Sequence, residues 1–322
     1  MPIQGRRIAA ALIVAAAVTI FGTSATRAAD SQPTEVTLGT LVNRIDAIRL
    51  RESTFDVDFY VWFVWSNPEI NPGETFEIVN GHINSKAESD IHDVEGGRYA
   101  CYRVQATIIK EFDLFKYPRD RHHLTIEIED ATSELDLVYK LDSRNSILSE
   151  DFFVPGFTAS GGKFNVTSHV YNTNYGDPNL ASDNKSVYSR FIASFDIHRP
   201  SGAAALKLYI GVFAAALIGF LSLLARADQV DVRFGLGSAA LFAAIATQFV
   251  IATNMPETSI LTVPDLVCIA TISSVFVTLL NSALGLILFN KGLERISRRL
   301  DIALIVILPA AYCVLCFRWI FG

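Results

Sequence analysis

The sequence is poor in cysteine and lacks the residue groupings that catalytic sites require. Only four cysteines occur among 322 residues, and only Cys101 precedes residue 200, so the first part of the chain cannot form an internal disulfide. There is no glycine-rich phosphate loop, no metal-site spacing of cysteine and histidine, and no nucleophile elbow. We therefore expect neither an enzyme nor a protein with a metal or another cofactor.

Positive charge is also scarce. The chain has 27 lysines and arginines against 33 aspartates and glutamates, for a net charge of −6, and it contains no basic patch of the kind that binds nucleic acid. Nucleic acid is therefore excluded as an expected partner. The charge that is present lies mainly before residue 200, and long apolar runs follow it.

The first residues have the pattern of an export signal. Arg6 and Arg7 precede an apolar stretch from Ala9 to Phe21, and small residues follow near positions 25–29. This pattern predicts a signal peptide over residues 1–29. The alternative is an uncleaved anchor helix, although the apolar stretch is short against the roughly 20 residues that a membrane span requires.

Residues 30–200 alternate apolar and polar side chains with a period of two. From Phe55 to Trp65 every odd position is apolar, and similar alternation occurs at 124–129, 135–141 and 187–197. The period indicates half-buried strands. Turn-forming clusters separate these segments, and the whole region predicts an antiparallel, immunoglobulin-like β-sandwich.

Four apolar segments follow, within a membrane domain at 201–322. Each is long enough to cross about 30 Å of hydrocarbon as a helix, and we expect the spans at 203–225, 233–253, 264–289 and 300–321. Lysine or arginine occurs in the first and third joints, and the second joint has none. Since basic joints stay in the cytoplasm, the β-domain and the second joint are expected outside.

The second span carries mostly small residues on one helical face. Steps of three and four select Asp231, Gly235, Ala239, Phe242, Ala246, Phe249 and Thr253. In a symmetric ring of helices this face would line a pore, with two phenylalanine rings as apolar constrictions and an aspartate ring that favours cations. Small residues at this spacing are also typical of helix–helix packing, and an acid at a helix end is often only a solvated cap.

Four segments, in order, resemble the prokaryotic pentameric ligand-gated ion channels, relatives of the animal Cys-loop receptors. Glu111–Leu124, with its Tyr-Pro-Arg-Asp sequence, is similar to the family's Phe-Pro-Phe-Asp loop without the flanking cysteines. Tyr188–Pro200 resembles the last strand running into the first span. The other segments are the pore helix with its exit from Ala252 through Thr262, and the terminal helix that ends Cys-Phe-Arg-Trp. Arg119 and Gly211 depart from the family pattern, which has a second aromatic and a proline there.

The resemblance implies a homopentameric channel in the bacterial inner membrane, with a periplasmic β-domain. It implies an ion pair between Asp120 and Arg199 at the boundary of the two domains. It also implies a coupling interface formed by Pro118, Arg119, Asp120, Arg199, Pro256 and Thr262. Phe242 falls on the family's apolar gate position, and the permeant ions are expected to be monovalent cations.

Agonists of this family bind between subunits among aromatic residues. The candidates here are Trp62, Trp65, Phe153, Phe157, Tyr175 and Tyr188. Such a cage suits a small cationic amine, although aromatic residues on strands are usually core. All six histidines precede residue 200, so protons are an alternative stimulus. The rival interpretation of the whole chain is a non-conducting, membrane-anchored periplasmic sensor or adaptor.

Overall fold

The computed structural model describes residues 32–176, 185–255 and 260–322. It has a two-sheet β-domain followed by four long apolar helices, which confirms the predicted fold class. The export segment and Pro256 lie outside the described residues. The strands are β1 (Thr34–Arg49), β2 (Thr54–Trp65), β3 (Phe76–Ile78), β4 (Gly81–Val94), β5 (Gly97–Ile109), β6 (Arg121–Asp130), β7 (Leu137–Leu141), β8 (Ile147–Phe153), β9 (Thr158–Tyr171) and β10 (Ser186–His198). The helices are α1 (Pro72–Thr75), α2 (Ser201–Leu221), α3 (Val230–Asn254), α4 (Val263–Asn290) and α5 (Glu294–Phe321), with a 3₁₀ turn at Ser222–Leu224.

The described strands form a six-stranded and a four-stranded sheet. The first has the order β4-β5-β2-β1-β7, with β8 also paired to β1, and the second has the order β3-β6-β10-β9. Most pairs are antiparallel, as expected, but β7 and β8 both run parallel to β1. The 16-residue β1 is long enough to pair with both short strands in succession, so the sandwich is mixed and not purely antiparallel.

The core lies between the two sheets and follows the alternation of the strands. The odd residues of β2, from Phe55 to Phe63, are fully buried. Across the interior, the ring centroids of Phe63 and Phe76 are 5.2 Å apart, which joins β2 of one sheet to β3 of the other. Phe152 of β8 and Phe195 of β10 make an edge-on contact, and their ring centroids are also 5.2 Å apart. Burial of such side chains contributes roughly 1.5–3 kcal/mol each and holds the sheets face to face.

Among the described residues, four helices are long and apolar enough to cross a membrane: Ala205–Leu224, Val230–Thr253, Val263–Asn290 and Glu294–Phe321. They match the expected spans within a few residues, except that α5 begins at Glu294 rather than at 300. The extra turns carry the basic residues of the third joint and are helical because no proline or glycine interrupts Glu294–Leu300.

Glycine allows α3 to approach its neighbours closely. A methyl group at Gly211 of α2 would lie 2.9 Å from Thr247 Oγ1 of α3, so glycine at the expected proline position permits this contact. On the other side, a methyl group at Gly237 would collide with Leu279 Cδ2 of α4, whereas Gly235 has open space around it. One face of α3 is therefore packed against α2 and α4.

Candidate functional site

Asp120 and Arg199 form an ion pair where the β-domain meets the helices. The antiparallel pairing of β6 and β10 places Arg121 beside His198, and the next residues outward are Asp120 and Arg199. Arg199 Nε donates to Asp120 Oδ1 at 3.0 Å, and Nη2 donates to Oδ2 at 3.3 Å. Asp120 is only 2% exposed, so this pair is largely shielded from solvent.

A histidine and two aromatic rings complete the surroundings of this pair. His122 Nε2 lies 2.7 Å from Asp120 Oδ2, and the Arg199 guanidinium lies 4.3 Å from the ring centre of Phe157 and 5.1 Å from that of Tyr117. Burial opposes the ionisation of Asp120, but the hydrogen bonds with His122 and Arg199 outweigh it and lower the pKa of this carboxyl. Asp120 is thus held as a carboxylate.

The loop between β5 and β6 contacts three membrane helices. The backbone N–H of Val263 in α4 donates to Phe115 O at 2.9 Å, and the Tyr209 hydroxyl of α2 donates to Tyr117 O at 3.4 Å. Arg119 Nη1 donates to Ile320 O near the end of α5 at 2.7 Å. Arg119, which departs from the family's aromatic residue, therefore binds the terminal helix. Buried Pro118 follows a cis peptide bond in this loop.

Thr262 lies at the other side of the same junction as the N-cap of α4. Its backbone N–H donates to Asp265 Oδ2 at 2.9 Å, and its hydroxyl donates to the same oxygen at 2.7 Å. The Thr262 side chain also accepts from the backbone N–H of Asp265, and this capping box satisfies two backbone amides at the start of the helix. Four of the coupling residues meet within one region, and Thr262 lies one residue from the Phe115–Val263 hydrogen bond.

All seven residues selected for a pore are exposed on a single face of α3. Phe242 is 77% exposed and Phe249 is 70% exposed. The opposite face, which includes Arg233, Gly237, Ala240, Ala244 and Ile251, is buried against the other helices. This exposed face thus points away from the bundle of its own chain. We name it the α3 stripe, and its members are Asp231, Gly235, Ala239, Phe242, Ala246, Phe249 and Thr253.

The composition of the α3 stripe differs from that of the outer face of α5. The exposed large side chains of α5 include Ile302, Val306, Ile307, Val314 and Phe317, which suit contact with acyl chains. Of the seven members of the α3 stripe, four are the small residues Gly, Ala or Thr, and one is the acid Asp231. Small residues allow close approach of a second helix, and an acid in a span is expected to face protein or water rather than lipid.

A buried ion pair fixes the beginning of α3. Arg233, only 1% exposed, donates through Nη1 to Asp301 Oδ1 of α5 at 3.2 Å and through Nη2 to Oδ2 at 2.5 Å. Its Nε and Nη2 also donate to Ala225 O, and Asn281 of α4 donates to Asp301 at 2.6 Å. Asp301 was not predicted as a functional residue, although an acid inside a span is itself a signal of an internal partner.

Tyr175 and Tyr188 belong to an aromatic cluster on the outer end of β9 and β10. Their ring centres are 6.3 Å apart, and Tyr171 lies 6.0 Å from Tyr175 and 5.7 Å from Tyr188. Arg190 donates to Glu129 Oε1 at 2.6 Å and to the Tyr171 hydroxyl at 2.9 Å. Burial, together with the charge of Glu129, raises the pKa of Tyr171, so this phenol stays neutral. Tyr171 was not foreseen, because its role depends on strand pairing.

The other aromatic candidates lie elsewhere in the chain. Trp62 is half-buried and donates to Asp142 Oδ2 at 3.1 Å, whereas Trp65 is a core residue that donates to Ile70 O. Phe153, 61% exposed, ends β8, and Phe157 packs beneath Arg199. A single chain therefore does not gather the six candidates; only Tyr175 and Tyr188 meet, and Phe157 belongs to the domain junction.

Comparisons with known proteins assign no family to the chain. No protein-family model matches it, and no curated protein matches it. The resemblance to pentameric channels therefore rests on the ordered motifs of the sequence.

Proposed function

We propose that the chain is one subunit of a homopentameric ligand- or proton-gated ion channel. The observation that carries this proposal is the α3 stripe: seven residues chosen by helical spacing are all exposed on a helix whose other face is packed. In a five-fold ring these stripes face a common axis. Each subunit then contributes one small-residue surface to a central aqueous path.

The gate in this proposal is a ring of Phe242 side chains, with Phe249 forming a second ring two turns away. Narrow apolar rings exclude water and so block ions without a moving plug. Asp231 lies at the opposite end of the stripe, next to the joint that carries Arg226. A ring of Asp231 carboxylates raises the local concentration of cations, and we therefore propose preference for monovalent cations.

The stimulus acts on the β-domain and reaches α3 through the junction. The tyrosine cluster offers a cationic amine two rings, the exposed Tyr175 and the half-buried Tyr188, and cation–π contacts contribute about 0.5–2 kcal/mol each. Movement of β10 carries Arg199, and with it Asp120 and the loop that contacts α2, α4 and α5. The beginning of α3 is anchored by Arg233, so displacement concentrates at its other end.

Ion flux through reconstituted vesicles tests this proposal. Phe242→Ser replaces a large apolar side chain with a small polar one, which widens the constriction and lets water enter it. We therefore expect vesicles with this variant to pass monovalent cations faster than vesicles with the wild type. Val306→Ser, which places the same side chain on the exposed face of α5, is the matched control and should not change flux. If Phe242→Ser conducts no better than Val306→Ser, the non-conducting sensor or adaptor becomes the better description.

A further inference from the structure

His122 is a polar residue at an apolar position of β6. The residues that follow on the same face of this strand, Leu124, Ile126 and Ile128, are all buried hydrophobic side chains. His122 is also buried, with 2% of its side chain exposed, and it pairs across the sheet with Ile197. A buried polar group is costly unless it is hydrogen-bonded. The partners of this imidazole therefore indicate why a histidine occupies the position.

The imidazole contacts both ends of the loop between β5 and β6. Its Nε2 lies 2.7 Å from Asp120 Oδ2, at the end of the loop. Because an ionised carboxylate only accepts hydrogen bonds, Nε2 carries the hydrogen and donates it. The ring also meets Phe112, near the start of the loop, edge-on with the ring centroids 5.0 Å apart. Phe112 and Asp120 are eight positions apart in the sequence, and the single side chain of His122 bridges them.

The backbone hydrogen bonds within this loop are local. The N–H of Tyr117, for example, donates to Leu114 O at 3.0 Å, which closes a turn of a few residues and does not reach the start of the loop. The loop also contains no cysteine, so a disulfide cannot close it. The contacts of His122, by contrast, extend from near the start of the loop to its end.

The loop that His122 bridges is the one that contacts the membrane helices. Phe115 O accepts from the N–H of Val263 at the start of α4, and Asp120 is bonded to Arg199 at the end of β10. A loop that changes its own shape absorbs a displacement of Arg199. A loop with its two ends held together passes the displacement on to the helices, because coupling between sites is carried by rigid, contiguous elements.

We propose that His122 is a positioning residue that closes the loop between β5 and β6 into a rigid unit. It acts through Asp120, whose carboxylate it holds toward Arg199, and through Phe112, against which its ring packs. The closure is a property of the folded chain. Its consequence for gating, that movement of β10 reaches the helices without loss in the loop, rests on the proposed channel function.

A simpler role for His122 is to fill space in the core. Its ring lies between the elements that carry Phe112 and Phe157, and the ring centroid of Phe157 is 6.0 Å from its own. A residue that only fills space needs the right volume but no hydrogen-bond donor. Variants that separate the volume of the side chain from its donor therefore distinguish the two roles.

Hydrogen–deuterium exchange of the full chain, resolved over the loop and the start of α4, tests the proposal. His122→Gln keeps an N–H donor with the reach of Nε2, whereas the amide of His122→Asn is one methylene shorter and does not reach Asp120. A hydrogen bond to a charged group shifts a local opening equilibrium by about ten-fold or more. We therefore expect the loop amides of His122→Asn to exchange about ten-fold faster than those of the wild type, and His122→Gln to stay within about two-fold of it.

Two further variants complete the comparison. His122→Leu fills the core without a donor, so it should exchange as fast as His122→Asn, and it takes the place of that variant if a buried amide prevents folding. His123→Asn is the matched control, because His123 points to the outer face with 55% of its side chain exposed and bonds to Asp196. This substitution should leave the exchange of the loop unchanged.

Two results would overturn the proposal. One is exchange at the wild-type rate in His122→Leu or His122→Asn, and the other is exchange in His122→Gln as fast as in those two variants. The measurement requires no ion flux. An unchanged flux in Phe242→Ser would therefore contradict the proposed channel without affecting this result.

Discussion

The ion pair between Asp120 and Arg199 can be tested by a double-mutant cycle. Asp120→Asn and Arg199→Gln each remove one charge, and the double variant removes both. In Arg199→Gln, the buried Asp120 carboxylate keeps His122 but loses the two guanidinium bonds at 3.0 and 3.3 Å. The stacking of the guanidinium on Phe157 is lost as well. We therefore expect the single substitution at Arg199 to be strongly destabilising.

The expected magnitude follows from the burial of the pair. Breaking a buried ion pair from one side costs about 3–5 kcal/mol, and the partial exposure of Arg199, 16% at its side chain, places the estimate near the lower end, at about 3 kcal/mol. For a domain of this size, 1 kcal/mol corresponds to about 2–4 °C in the melting temperature. Arg199→Gln should thus lower the melting temperature of the β-domain by about 6–12 °C.

The assay is thermal unfolding of the purified full chain, followed by circular dichroism of the strands. The double variant should be more stable than the sum of the single losses predicts, by a coupling energy of about 1–3 kcal/mol. Lys140→Gln is the matched control, because its ion pair with Glu35 is exposed on both sides and should contribute less than about 1 kcal/mol. Additivity of the two single losses within about 0.5 kcal/mol would refute the coupling.

The ion pair between Asp120 and Arg199 also predicts how the thermal stability of the folded chain changes with pH. Because the pKa of Asp120 is lowered in the folded chain, its stabilising effect is fully present above the unfolded pKa of about 3.9. The effect is lost as the pH falls through the lower, folded value. The difference in melting temperature between the wild type and Asp120→Asn should therefore be constant above pH ~5 and shrink below pH ~4. A difference that grows on acidification would contradict this assignment.

Two further predictions concern the packing of α3. Gly237→Ala should reduce the thermal stability of the helical bundle because the added methyl group meets Leu279. Gly235→Ala is in open space, so it should leave the stability unchanged or raise it by the helix propensity of alanine, about 1 kcal/mol. Equal losses of stability in both variants would argue against this packing. Arg233→Met should be destabilising by about 3–5 kcal/mol because it leaves the Asp301 carboxylate buried, and adding Asp301→Leu should restore much of this loss. Both effects can be measured as shifts in the unfolding temperature in detergent, and the second assignment fails if the added substitution lowers it further.

The strands and spans could be predicted because each depends on local periodicity. The alternation from Phe55 to Trp65 places every odd residue in the core, and it is read directly from side-chain polarity. The α3 stripe follows in the same way from a helical period of 3.6 residues. The parallel pairing of β7 and β8 with β1 could not be predicted, because strand direction depends on long-range pairing that local pattern does not contain.

The contacts of the polar groups were harder to predict. Nothing in the sequence around Arg233 indicates its partner, yet Arg233 is buried against Asp301, 68 positions away in the sequence. Phe157 was assigned to a ligand site by residue type, whereas the turn before β9 brings it against Arg199. In both cases the decisive information is which elements are neighbours in space, and one sequence alone does not specify that.

Water access to α3 in the bilayer distinguishes a pore-lining helix from one that faces only lipid or protein. The four native cysteines are first replaced, and single cysteines are then introduced at Ala239 and Ala246 of the α3 stripe. The controls are single cysteines at the packed positions Ala240 and Ala244 and at Val306 of α5. If α3 lines a pore, a charged, membrane-impermeant thiol reagent should modify the cysteines of Ala239→Cys and Ala246→Cys and leave the other three unmodified. Protection of both stripe positions, with the protein reconstituted and the stimulus varied, would contradict a water-filled path along α3.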